Sequence, residues 1–215
     1  MLTYRLLKNH AGLLLTGDYQ TLRALHEVIH NVNERSPLVL NTEGAFLGLA
    51  YDVRKAYEGQ RRKVKPPDGY PEIGPRFGVE ILWPVLLWQS RVLRASMGFI
   101  DTSKHMQANA YALEAVIQDG LKEDFGAALG ESVIFEWERI DPAHPFPEEA
   151  LQSRTPLFCS WTKAQRKAGI VGLIASFSPM YSTLYPIWLR NGATGLVSPQ
   201  EFKNWENAEC PDPKW

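Results

Sequence analysis

Side chains four residues apart share one face of a helix, and this chain carries two histidines at that spacing with a carboxylate between them, His26-Glu27-Val28-Ile29-His30. Two imidazoles on one helical face can bind a single zinc ion, while the glutamate serves as general base. Zinc lowers the pKa of its bound water, and the glutamate takes the proton as that water attacks a carbonyl carbon. A catalytic zinc needs a third protein ligand. Glu43, Asp52 and Glu58 lie downstream, and Asp52 is the best placed of them along the sequence.

These five residues resemble the motif of the zincin metallopeptidases, and the spacing of Asp52 after His30 is similar to that of gluzincin third ligands. The resemblance implies a zinc-dependent hydrolase with His26, His30 and Asp52 as ligands and Glu27 as base. It ends at His30. The metzincin extension is missing, because Asn31-Val32-Asn33-Glu34-Arg35-Ser36 supplies neither the Gly nor the third His. The apolar stripe of the same segment, Leu22, Leu25, Ile29 and Val32, leaves both histidines at its edge and Glu27 further out. Boundary histidines need no metal to explain them. Structural coincidence is the preferred account.

Other groups carry weaker chemistry. Arg61-Arg62-Lys63-Val64-Lys65 can contact phosphate or an acidic surface, although an edge strand guarded by cations explains it as well. Glu136 and Glu138 share a face if Ser132 to Ile140 is a strand, with Val133, Phe135 and Trp137 opposite. A wet outer face accounts for that pair. Cys159 and Cys210 are far apart in sequence and form neither a disulfide framework nor a zinc spacing; Cys159 reads as a packed thiol. P-loop, G-x-G-x-x-G, G-x-S-x-G and kinase patterns are absent.

The elements that must position these groups can be read from periodicity and breakers. Leu2 to Leu7 and Gly12 to Thr16 read as a β-hairpin. Asp18 caps a helix to about Arg35, striped by Leu22, Leu25, Val28, Ile29 and Val32. After Ser36-Pro37, Leu38 to Leu40 is expected as a short strand, and Thr42 as the cap of a helix from Glu43 to about Gly59. Phe77 to Trp83 reads as a strand feeding a deeply apolar helix from Pro84, and Ser103 caps the next helix. Helices are expected near Glu148 to Arg154 and Trp161 to Lys167. Pro179 and Pro186 break the segment after them, Ser198-Pro199 starts a last short helix, and the tail from Cys210 to Trp215 is loose. Proline-rich stretches at about 66–75 and 141–147 mark off three blocks, each too small for its own core. The expectation is therefore one domain over residues 1–215, α+β and helix-rich, with a small, mainly antiparallel sheet packed against several helices.

A formal net charge of −1 argues against nucleic acid as a partner, because phosphate neutralisation needs a basic excess. The most apolar stretch, Gly169 to Phe177, falls well short of the roughly 20 residues a bilayer span requires. The first residues lack the apolar core of a signal peptide, and cytoplasmic residence is expected. With seven Trp, eight Tyr and nine Phe, the chain has aromatic surface for a core and for docking a partner. The preferred reading is a non-enzymatic protein that docks a protein partner, of inhibitor or immunity type, with no cofactor. The alternative is the zinc-dependent hydrolase.

Overall fold

In the computed structural model, which describes residues 1–66, 74–206 and 208–212, the chain is α+β and helix-rich with a small antiparallel sheet that starts from an N-terminal hairpin. The strands are β1 (Thr3–Leu6), β2 (Gly12–Gly17), β3 (Arg62–Val64) and β4 (Arg76–Leu82). The helices among the described residues are α1 (Tyr19–Arg35), α2 (Ala45–Tyr57), α3 (Trp83–Ser96), α4 (Lys104–Phe125), α5 (Ala127–Glu138), α6 (Phe146–Ser160), α7 (Lys163–Ala175), α8 (Tyr181–Arg190) and α9 (Pro199–Asn204). The chain divides into two compact units: Met1–Leu6, Leu13–Ile81 and Val92–Gly120 form one, and Leu7–Gly12, Leu82–Arg91 and Leu121–Trp215 the other.

In the first unit the sheet runs β1-β2-β4-β3, so β1 and β3 are its edges. Alternation divides its faces. Leu13, Leu15, Val79 and Ile81 are buried, whereas Leu14, Arg76 and Glu80 fall on the other side of their strands. The basic run thus becomes edge strand β3, where Arg62 pairs with Glu80 at 2.9 Å. Cations along an edge discourage pairing with another sheet. Helix α1 packs against α2, burying Leu22, Leu25, Ile29 and Val32 with Phe46, Leu49 and Val53. The expected helix at Glu43 begins later, because Gly44 is its N-cap and the carbonyl of Thr42 accepts from Asn33 Nδ2 at 2.9 Å.

In the second unit, helices supply nearly all of the regular structure among the described residues. Its α6 and α7 are longer than periodicity predicts: α6 runs on through Pro156, and α7 starts after a Thr162–Gln165 capping box and continues to Ala175. Helix α8 likewise continues through Pro186. Helix α7 passes very close to the backbone after α8: a Cβ on Gly172 would overlap the carbonyl oxygen of Gly195 and come within 2.9 Å of Leu196 Cα.

Two expected strands are corrected. Ser132 to Ile140 is mostly helix α5, with Val133, Ile134 and Trp137 buried and Phe135 exposed. The alternation at 133, 135 and 137 masks a helical series that Ile134 and Trp137 complete. Glu136 and Glu138 consequently point about 200° apart around the helix and form no carboxylate pair. Leu38 to Leu40 is a turn, in which Ser36 Oγ accepts from the Leu38 amide at 3.1 Å and its carbonyl from Val39 at 3.2 Å. Of the first proline-rich stretch, residues 67–73 lie outside the described residues, as do residues 213–215 of the tail.

The first helix depends on its cap. Asp18 accepts from the Thr21 amide at 2.9 Å and the Thr21 hydroxyl at 2.8 Å. Burial alone would raise its carboxyl pKa; the bonds from Thr21 and the Met1 ammonium outweigh that and lower it to about 2. A carboxyl depressed below its ordinary value near 3.8 stabilises the fold above that pH, and the contribution is lost as pH falls through about 2. Asp18→Ala is expected to cost about 1 kcal/mol at neutral pH in chemical denaturation. The difference from the parent should shrink when unfolding is followed downwards from pH 4 to 2.

Candidate functional site

Helix α1 does bring the two motif histidines together. Their ring centroids are 4.5 Å apart, and His26 also meets the Tyr57 ring of α2 edge-on at 5.7 Å. Burial is the main reason the His26 imidazolium is disfavoured, with the positive sides of His30 and Arg54 adding to it, so its pKa is lowered. Its Nε2 is buried and has no hydrogen-bond partner. The carboxylates do not join them. Glu27 turns outward onto Arg23 one turn earlier, Nε to Oε1 at 2.9 Å, and both side chains are more than half exposed. Asp52 is held by Arg61 Nη2 at 2.9 Å, and Glu58 faces Arg54 at 3.8 Å. Among the described residues, no three His, Cys, Asp or Glu side chains are grouped to hold a metal. Among the described residues the site therefore offers zinc two imidazoles and no third protein ligand, which a catalytic ion requires.

Three other clusters are not legible in the sequence. In the second unit Asp124 bridges two residues, His10 Nδ1 at 2.8 Å and Trp83 Nε1 at 2.8 Å, while the His10 ring stacks on Phe125 at 5.1 Å. Asn9 and His10 both take left-handed backbone conformations, with φ of 59° and 56°. A non-glycine residue there is uncommon and is stabilised by surrounding contacts. The Asp124 carboxylate supplies one of them.

The second cluster pairs the thiols. Cys159, fully buried at the end of α6, lies 3.6 Å from the Sγ of exposed Cys210. Burial pushes the Cys159 thiol up to about 12, with Cys210 adding to the effect, so Cys210 is the more available nucleophile. The third is helix α8, whose Met180, Ile187 and Leu189 are exposed around the buried Tyr181.

Oxidation tests the thiol pair. Hydrogen peroxide is expected to oxidise Cys210 to a sulfenic acid, releasing water, and the Cys159 thiol then displaces a second water to form the disulfide. Intact mass should fall by the mass of two hydrogens, and peptide mapping should link 159 to 210. Cys159→Ser should leave Cys210 to overoxidise or stay free; an intermolecular dimer as the main product of the parent would contradict the pairing.

No curated protein and no solved structure is similar to this chain at a significant level. One family model does match, described as a domain of unknown function (DUF6904), and it covers residues 2–203. That span takes in both histidines of α1, the sheet, Asp124, Cys159 and helix α8, and stops short of Cys210. The chain belongs to the DUF6904 family.

Proposed function

We propose that this is a non-enzymatic, cytoplasmic binding protein that docks a protein partner through helix α8. One observation carries the reading: of the ten residues of α8 only Tyr181 is buried, although most of the helix is apolar. Met180, Leu184 and Ile187 recur at i, i+4 and i+7 and so lie along one stripe. Met180 is 52% exposed and Ile187 41%. Exposed apolar surface of that kind, on a helix held rigidly from behind, is what helix-mediated recognition uses.

The holding is specific. The Tyr181 hydroxyl donates to the Val197 carbonyl at 2.8 Å and accepts from the Val197 amide at 3.0 Å. Its ring meets Trp188 and Phe202 edge-on at 5.7 Å and 6.1 Å. An anchored helix loses little further freedom on binding, which favours affinity. A protein of inhibitor or immunity type acts by covering another molecule's surface and needs no catalytic group of its own.

The test is site-specific photocrosslinking in cells, with a benzophenone side chain at position 187 or, as control, at exposed position 123. Position 187 is expected to give one discrete heteromeric product that Met180→Glu abolishes without lowering thermal stability. Equal labelling at both positions, or none at 187, would refute the reading.

A zinc-dependent hydrolase is a second reading, favoured by the orphaned Nε2 of His26 beside His30. After dialysis against zinc, elemental mass spectrometry is expected to find the parent and His26→Ala equally poor in metal. Near-stoichiometric zinc that vanishes in His26→Ala would put the hydrolase first, with Glu27→Ala the next variant to assay.

A further inference from the structure

The first unit carries a trough over one face of its sheet, independent of helix α8. Register decides which residues line it. Thr3 faces Thr16 and Arg5 faces Leu14 across β1 and β2; Arg62 faces Gly78 and Val64 faces Arg76 across β3 and β4. Directly opposed residues share a face, so Arg5, Arg76 and Arg62 come from three strands to the same side. The trough they line, with Lys65 at its rim, has a volume of about 680 Å³. That lies within the range of small-molecule sites.

The floor is kept low by a glycine. A Cβ on Gly78 would come within 2.8 Å of Thr16 Cγ2 and 2.9 Å of Leu14 Cδ1, so no side chain rises at the centre of the sheet. Thr3 and Thr16 hydroxyls meet there at 2.7 Å.

The charge on this face is not balanced. Among the described residues no carboxylate lines the trough. Arg62 is paired with Glu80, but Arg5 and Lys65 have no ion pair among the described residues. Arg76 is the most telling. Its Nη2 donates to the Met1 carbonyl at 2.8 Å and to Thr3 Oγ1 at 2.9 Å, both neutral acceptors, and its Nε is buried with no partner. A partly buried guanidinium held by neutral groups, with one N–H unsatisfied, is short of an anion.

We infer that this trough binds a small molecule carrying a chain of two or more phosphate groups. The outer arginines stand on β1 and β3, about 14 Å apart by three interstrand spacings. One orthophosphate cannot engage both, whereas a chain of phosphates between inward-folded arginines can. Guanidinium forks match phosphate oxygens two at a time, and the concave shape favours a compact ligand over a flat acidic protein surface.

The test is calorimetric titration of the full-length protein with inorganic tripolyphosphate, ATP, orthophosphate and polyglutamate, at low and at physiological salt. Tripolyphosphate should bind at one site and orthophosphate at least tenfold more weakly. Arg5→Gln, an exposed side chain whose loss leaves the sheet intact, should weaken tripolyphosphate by about tenfold. Arg23→Gln, an exposed cation on α1, should change nothing. Arg76→Gln should abolish binding, with circular dichroism confirming that the variant is folded. ATP binding more tightly than tripolyphosphate would assign a nucleotide, and equal affinity the phosphate chain alone; both support the site. Absent binding, equal weakening by Arg5→Gln and Arg23→Gln, or polyglutamate binding as well as tripolyphosphate would overturn it.

Discussion

A guanidinium removed from water must find oxygen atoms, and the second unit is organised around that requirement at Arg166. Its side chain is fully buried and donates to the carbonyls of Phe158 and Cys159, at the end of α6, and of Asn9. These acceptors are far apart in sequence, so one side chain holds the α6–α7 corner and the turn after β1 in a single arrangement. Burial lowers the guanidinium pKa, yet the group stays charged at any physiological pH because its ordinary value is so high. Removing the acceptors would strand a buried charge, which costs several kcal/mol. The left-handed Asn9 and His10 have their cause here, since Arg166 holds one carbonyl and Asp124 the next ring. The position of Cys159 has the same cause, because its own carbonyl is one of the acceptors.

Arg154 solves the same problem differently. It donates to Ser153 and Ser176 and lies over the Phe202 ring at 3.9 Å. Desolvation lowers its pKa to about 10, and Glu206 and Tyr181 oppose the shift. The ring it covers belongs to α9, which also packs on Tyr181, the anchor of α8. The exposed stripe of α8 thus rests on a buried cation two helices away.

Local chemistry is legible where one element decides it. Asp18 at the start of α1, the stripe from Leu22 to Val32, the hairpin and the Ser198-Pro199 helix start all depend on near neighbours, and each is found as read. The strand expected at Ser132 fails because Val133, Phe135 and Trp137 alternate by accident. The preceding Ala127, Ala128 and Leu129, all strong helix formers, are the signal that outweighs it. Pro186 reads as a breaker, and Pro156 lies just past the helix expected to end near Arg154, yet both prolines lie inside their helices. No local pattern carries the pairing between distant residues. His10 with Asp124, Cys159 with Cys210, and Arg5 with Arg62 across a sheet each require the fold first.

The histidine motif shows where the two kinds of information part. Spacing of four residues on a helix is enough to put His26 beside His30, and it does. The same rule acts on Glu27, which has Arg23 four residues earlier and is drawn outward by it. Asp52 is captured by Arg61 in the same manner. Glu27, Asp52 and Glu58 each pair with an arginine. A helical motif supplies two ligands unaided; the third must come from elsewhere in the fold, and here arginines hold Asp52 and Glu58. The orphaned Nε2 of His26 is what remains of that competition, a buried acceptor or donor left at the edge of an apolar stripe by its helical position.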